Sequence, residues 1–569
     1  MAKGSGETCA GAPTGLLAVI DPAGGAERRL RRMLPDCTEA VYASRATDRL
    51  AVARRTDLPT ITARADGDRD TILLGHAAVD GMADEDVPAH LASLATAGRS
   101  EAMAAVQGAF GLVHVDWAAD EVRVVSDLCG VRPLYRAEQG GAVAISDRAL
   151  PAARIGEPRV LPRSAAAWLV FGYPTADETM FAGVTRVPPA GFGVISARGE
   201  TWQCYWEPVA AEDPIDSTRL REELYDAFSG SMNRLVSNTD AAVVLLSGGF
   251  DSRLIALTGR LLGPDLTLVT VPYSGAERQV VDRLVPLLDL PCERIEVAGS
   301  ILDAFDSMWH AHPDGFVIER NLTDLAVVPH AGPTPFLEGF LGGAVMGRQY
   351  HTYPDGGGSG RGAVLDWVCD VYADRTYEAV LAPTVAARVR QWAREAAEQQ
   401  ATALPEGTKP GWTWHLCTRQ RRLYSNNFIQ NAHRARFLHP FYDRALIERR
   451  LRHPTALFTG KLYHALLAER FGEAGALPHA GDLPAGRDIH DRYCRRLRAG
   501  LPRLARFVMR RPHLFRRSWT LNRLSAYGLG RRRQQYVAQF VARLAAFTDG
   551  PAGQGVGGDL QDVLCEAPS

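Results

Sequence analysis

The sequence predicts an α/β protein of two unlike halves, and three observations predict it. Over the first two hundred residues, short and partly alternating apolar segments are separated by turn residues, the pattern of an antiparallel meander. After Glu207, strand-like and helix-like stretches alternate, the pattern of a doubly wound parallel sheet followed by a mostly helical C-terminal part. Within that second half, Leu245-Leu246-Ser247-Gly248-Gly249-Phe250-Asp251-Ser252-Arg253 runs from an apolar strand through a tight polar turn into a helix. At 569 residues the chain is too long for one ordinary core, and two large domains are expected.

In chain order, Phe110 to Trp117, Glu121 to Ser126, Val131 to Arg136 and Ala142 to Ser146 read as strands. They are joined through Ala118-Ala119-Asp120, Cys129-Gly130 and Gln139-Gly140-Gly141. Val187-Pro188-Pro189-Ala190-Gly191 reads as a further turn, with a strand and then Trp202 to Trp206 behind it. Leu220, Leu224, Phe228, Met232 and Leu235 recur at helical spacing behind the N-cap candidates Asp216 and Ser217. A strand at 241–246, a helix after Asp251, a strand from Leu266 to Val271, a helix from about Ala276 to Leu288 and a strand from Arg294 to Val297 continue the alternation. Pro354 to Gly362, with its glycine run, reads as a loop or lid. From Asp366 onward helical periodicity dominates, as in Val380 to Gln400 and Leu462 to Phe471.

Composition narrows the function classes. With 64 basic and 65 acidic residues, net charge gives no support for nucleic acid as a partner. Arginines do concentrate between Arg487 and Arg533, where acids are nearly absent. Mixed with Phe507, Phe515, Trp519 and Tyr527, they suit an acidic partner, a carrier protein, a leader peptide or an anionic membrane face, although a solvated helical surface is the preferred reading. The nine cysteines show no metal-ligand spacing, which favours reduced thiols in a cytoplasm, and His312, His330 and His351 read as non-ligands. No run of about eighteen apolar residues is present, so no transmembrane segment is expected.

The Ser-Gly-Gly turn carries the chemistry. A turn at the carboxyl end of a strand presents Ser247, two glycines, backbone N–H groups and a helix N-terminus, the groups that hold a triphosphate. In a doubly wound sheet that edge is where ligands bind.

Beyond this point the chain resembles the asparagine synthetase family. Ser247-Gly248-Gly249-Phe250-Asp251-Ser252 is similar to the pyrophosphate-binding loop of the ATP pyrophosphatases, and Tyr273-Ser274-Gly275-Ala276-Glu277 occupies the family's next segment. Pro440-Phe441-Tyr442-Asp443 resembles its PFLD element with Tyr442 in place of leucine, and Gly460-Lys461 stands where a Gly-Lys opens a helix. Asp127-Leu128-Cys129-Gly130-Val131-Arg132-Pro133-Leu134-Tyr135 and Phe181 to Gly191 resemble segments of the family's first domain, a class II glutamine amidotransferase fold of the Ntn αββα type. The resemblance implies domains at 1–206 and 207–485, and the arginine-rich composition sets 486–569 apart as a basic helical extension.

The same resemblance implies a nucleotide site of Leu246, Ser247, Gly248, Gly249, Asp251, Ser252 and Gly339, with Asp251 holding Mg²⁺ beside ATP. Lys461 or His464 would neutralise charge on the phosphate or the tetrahedral intermediate, although Lys461 equally suits a solvated helix and His464 a structural role. Glu319 and Tyr350 default to structure. Two departures matter. The family's glutaminase nucleophile is a cysteine directly after the initiator Met, whereas residue two here is Ala2 and Cys9 is internal, so no glutaminase activity is expected. In Phe336 to Gly347, Gly343 and Ala344 align with the family's acidic metal ligands, leaving Glu338 or Asp355 as substitutes. The implied activity is ATP-dependent adenylation of a small-molecule or peptide carboxylate and its coupling to a substrate amine, as in β-lactam synthetases and lasso-peptide macrolactam cyclases. An ammonia-using asparagine synthetase and a catalytically inactive scaffold subunit are the alternatives.

Overall fold

The computed structural model describes residues 14–34, 42–271, 274–295, 334–347, 361–403, 409–429, 435–484, 500–511, 513–528 and parts of 537–564. Among the described residues, twelve strands build the first half: β1 (Leu16–Ile20), β2 (Tyr42–Ala46), β3 (Leu50–Arg55), β4 (Ile61–Asp66), β5 (Arg69–Gly75), β6 (Phe110–Asp116), β7 (Glu121–Ser126), β8 (Tyr135–Gln139), β9 (Ala142–Ser146), β10 (Val184–Arg186), β11 (Gly191–Ser196) and β12 (Gly199–Cys204). They form two six-stranded sheets, in the orders β10-β8-β9-β1-β3-β2 and β12-β11-β7-β6-β5-β4, whose paired strands are antiparallel.

Period-two alternation explains why these sheets stack. Leu16, Ala18 and Ile20 of β1 face Ile72 and Leu74 of β5 and Val113 and Val115 of β6 in one shared core. The intervening Leu17 and Val19 point the other way, onto helix Pro162–Phe171 and helix Pro383–Ala403. Leu73, Leu112 and Val125 likewise turn outward beneath helix Val87–Thr96. The result is helix, sheet, sheet, helix. Each fully buried aliphatic side chain contributes about 1.5–3 kcal/mol to holding it together.

The second half is built on a parallel sheet of β13 (Ala241–Leu246), β14 (Asp265–Thr270), β15 (Cys292–Arg294), β16 (Phe336–Leu337) and β17 (Phe437–Leu438), in the order β15-β14-β13-β16-β17. Helix Ser217–Val236, capped by the Asp216 carboxylate accepting from the Thr218 and Arg219 N–H groups, packs on it through Leu220, Leu224, Phe228 and Met232. The expected alternation of strand and helix is present.

Two local differences from the sequence reading have physical causes. The strand expected from Val131 begins only at Tyr135, because the Val131 and Arg132 N–H groups donate to the buried Asp127 carboxylate (2.8 and 2.7 Å) instead of joining a ladder. The helix expected over Val380 to Gln400 is two helices, Thr376–Val380 and Pro383–Ala403, since the residue before a proline is pushed to extended geometry. The helix expected over Leu462 to Phe471 is present within Gly460–Ala476, which is interrupted just beyond it at Gly472 (φ 54°).

The halves are joined by buried polar contacts. Tyr442 hydroxyl donates to Asp127 and accepts from the Cys129 N–H (2.7 Å), linking segments more than three hundred residues apart. A π-helix, His415–Tyr424, turns Arg421 toward the Val187 carbonyl (2.8 Å) and Asp177, and Arg422 toward the Ala176 and Glu178 carbonyls (3.0 and 2.7 Å). Described parts of the C-terminal stretch, including Leu504, Phe507, Phe515 and Leu524, lie in the same core as helix Pro162–Phe171. Residues 485–499 and 529–536 of the arginine-rich stretch lie outside the described residues. Among the described residues no helix is long and apolar enough to cross a membrane.

Candidate functional site

The carboxyl edge of the parallel sheet gathers the polar residues. Strands β13, β16 and β17 are neighbours, and the residues directly after them are Ser247, Glu338 and His439. Ser247 begins a three-residue turn into helix Phe250–Leu262. Its N–H donates to Ser252 Oγ at 3.0 Å, the two hydroxyls lie 3.0 Å apart, and the Gly249 N–H donates to Ser247 Oγ at 3.2 Å. The Gly248 N–H donates to the carboxylate of Glu277 (3.3 Å), which stands at the third position of helix Gly275–Leu288 behind the Ser274 cap. The amides of the turn are therefore already paired, and a phosphate entering it would exchange those partners for its own oxygens.

A second segment is strapped across the turn. The Ala480 N–H donates to the Gly248 carbonyl (3.0 Å), and a Cβ on Gly248 would lie 2.6 Å from that of Ala480, so only glycine permits this approach. Arg253, fully buried, holds the strap from below by donating to the carbonyls of Gly475 (3.3 Å), Leu477 and Pro478 (2.9 Å). Burial pushes its guanidinium down to about 10. His479 lies edge-on to Phe250 with centroids 5.0 Å apart, and its Nδ1 accepts from the Gly481 N–H at 2.8 Å.

Asp251 sits in the first turn of its helix against Gly339 and Gly342. A Cβ on Gly342 would stand 2.5 Å from the Asp251 carboxyl carbon, and one on Gly339 would stand 2.8 Å from its Cβ. These two glycines, rather than Gly343 and Ala344, face the carboxylate; Ala344 is buried and its carbonyl accepts from Arg450 (3.3 Å). Among the described residues no three His, Cys, Asp or Glu side chains gather as for a metal ion. Mg²⁺ commonly takes one or two carboxylates and completes its shell with substrate phosphates and water. Among the described residues, Asp251 is a carboxylate that would suit an ion brought in on a triphosphate, without a preassembled cage around it.

Glu338, one of the two expected substitutes, is placed beside a histidine. Its carboxylate lies 3.6 Å from His439 Nδ1. Burial raises Glu338 to about 8 and lowers His439 to about 3, with His76 of the first domain a further depressing charge on His439. His76 is itself held down to about 4, by burial before all else. Both shifts favour the uncharged forms, as burial in a low-dielectric pocket does.

Of the remaining expected residues, Leu246 is the buried end of β13. Lys461 is exposed in the first turn of helix Gly460–Ala476, and His464, one turn on, stacks on Phe250 at 5.5 Å with its Nε2 3.0 Å from the Ala476 carbonyl. Between them, buried Tyr463 is the side chain beside Asp251; burial and then that carboxylate push its phenol well up. Sequence reasoning assigned no role to Tyr463, Glu277, Arg253 or His479. Only Glu277 carried a local signal, the Ser274-x-x-Glu277 capping pattern. Ala2, Cys9, Tyr273, His312, Glu319, His330, Tyr350, His351 and Asp355 lie outside the described residues.

Residues 77–206 match the glutamine amidotransferase domain family. Together with the two stacked antiparallel sheets, the match makes the first half an Ntn amidotransferase-type domain. Among solved structures, the chain is similar to a glutamine phosphoribosylpyrophosphate (PRPP) amidotransferase from B. subtilis complexed with ADP and GMP, at 11% identity and a TM-score of 0.24, over 57% of this chain and 75% of that one. A second, described as the allosteric regulatory enzyme of purine biosynthesis, aligns at 11% identity and a TM-score of 0.22, over 51% of this chain and 77% of that one. At these scores neither supports more than the comparison itself. No curated protein matches the chain.

Proposed function

We propose that this protein is an ATP-dependent, amide-bond-forming ligase that adenylates a substrate carboxylate, releases pyrophosphate and passes the acyl group to a substrate amine. The observation that carries the reading is the Ser247–Ser252 turn at the carboxyl end of the central strand β13, with Asp251 in the first turn of the following helix. Backbone amides and hydroxyls there suit a departing pyrophosphate, and Asp251 suits the Mg²⁺ that screens it. Positioning of carboxylate and nucleotide supplies most of the rate in such a reaction. The amine comes from the substrate rather than from glutamine, and the product belongs to specialised-metabolite or peptide chemistry, a macrolactam being one form. The protein works in the cytoplasm, and its basic C-terminal stretch is where a leader peptide or carrier would dock.

Exchange of labelled pyrophosphate into ATP, driven by a panel of free, peptide and carrier-bound carboxylic acids, tests the reading. Wild-type protein should exchange with at least one acid class, and Asp251→Ala should lower the rate by about a hundredfold or more, the scale of losing a group that stabilises transition-state charge. Exchange driven by aspartate alone would point to an ammonia-using asparagine synthetase. No exchange with any acid, and no ATP binding, would leave the scaffold reading.

A further inference from the structure

We infer that His479 is a phosphate-binding residue of the nucleotide turn, donating from Nε2 to the pyrophosphate oxygens beside Gly249; the inference rests on the adenylating function proposed above. Three tethers fix where this ring stands. Arg253 holds the carbonyls of Gly475, Leu477 and Pro478, the Ala480 N–H is bound to the Gly248 carbonyl, and the Gly481 N–H is bound to the ring itself. The last tether also sets the proton. Because Nδ1 accepts the Gly481 N–H at 2.8 Å, the neutral ring carries its hydrogen on Nε2.

That nitrogen is aimed at the turn. A Cβ built on Gly249, the N-cap of helix Phe250–Leu262, would lie 3.5 Å from His479 Nε2. A phosphate held by the amides of Gly248 and Gly249 and by the hydroxyls of Ser247 and Ser252 would thus meet a further donor from the strap, a segment more than two hundred residues away. The contact would add an imidazole donor to the amides and hydroxyls with which the turn holds the anion. It also gives the strap a purpose that its backbone bonds alone do not have: the strap delivers one imidazole N–H at a fixed height above the helix N-terminus.

The discriminating variant is His479→Asn, whose amide oxygen can keep the cap on Gly481 while its shorter side chain withdraws the donor from the turn. Pyrophosphate–ATP exchange in the full-length protein should show KM for pyrophosphate raised by about tenfold to a hundredfold, the worth of one hydrogen bond to a charged group, with KM for the carboxylate unchanged. His479→Ala should lose the same affinity and also loosen the strap, read as faster hydrogen exchange at residues 479–482. Wild-type exchange together with an unaltered pyrophosphate KM in His479→Asn would overturn the assignment while leaving the ligase reading intact. Absence of exchange in the wild type would instead overturn the ligase reading on which it stands.

Discussion

At the residue scale, the pair formed by largely buried Glu338 and buried His439 makes a prediction about pH. A carboxyl whose folded value is raised, here from 4.5 to about 8, contributes stability below its unfolded value and loses it as pH rises through the folded one. His439 and His76, lowered to about 3 and about 4, act in the opposite sense and cost stability only as pH falls below 6.5. Glu338→Gln removes the first effect alone. The gap in melting temperature between Glu338→Gln and wild type should therefore grow in favour of the variant from pH 4.5 to 8 and stay level below. A constant gap across that range would show that the carboxyl is not held protonated. The pair also marks where sequence reading stops. Ser247 to Ser252 are contiguous and announce themselves, whereas Glu338, His439 and His76 meet only because two strand ends and another domain converge, and no spacing along the chain encodes that.

At the scale of the element, the sequence was most legible where local rules act alone. Helix Ser217–Val236 has its periodic apolar face and its Asp216 cap, and β13, β14 and the helices after them follow from alternation of type and length. It was least legible where a side chain captures backbone groups from afar, as Asp127 does to the start of the expected strand at Val131. Asp443 illustrates the mixed case: it ends a recognised motif, yet its described work is structural, accepting from the Ala445 and Leu446 N–H groups (2.8 and 3.4 Å) to open helix Arg444–Arg452 and pairing with Arg234 at 2.9 Å. Asp443→Ala should cost about 1–3 kcal/mol by urea denaturation, combining a lost cap with a lost ion-pair partner. Asp443→Asn should recover most of the cap. Equal midpoints for Asp443→Ala and wild type would remove the capping role.

At the scale of the whole molecule, Tyr442 is the bolt between the halves. Its hydroxyl serves both the buried Asp127, whose carboxyl burial pushes up, and the Cys129 amide. Tyr442→Phe leaves a buried amide and a carboxylate each short of a partner, a loss of about 1–3 kcal/mol. Hydrogen exchange at residues 127–135 and 440–452 should accelerate together, because one contact holds both. Acceleration confined to one side would mean that the halves are docked by other contacts, the π-helix arginines foremost. The sequence identified both motifs separately, and the substitution of Tyr442 within one of them was visible; that it reaches into the other was not.

The wrapping of the first sandwich has a consequence for how the chain is made. The outer face of the sheet containing β1 is covered in part by helix Pro383–Ala403 and by residues as late as Leu564. A ribosome delivers the amino-terminal strands long before those partners exist, so Leu17, Val19 and their neighbours wait with their apolar face incompletely covered while several hundred further residues are synthesised. The order of translation and the order of burial run against each other here, and the interval between them is when the nascent protein most needs a chaperone.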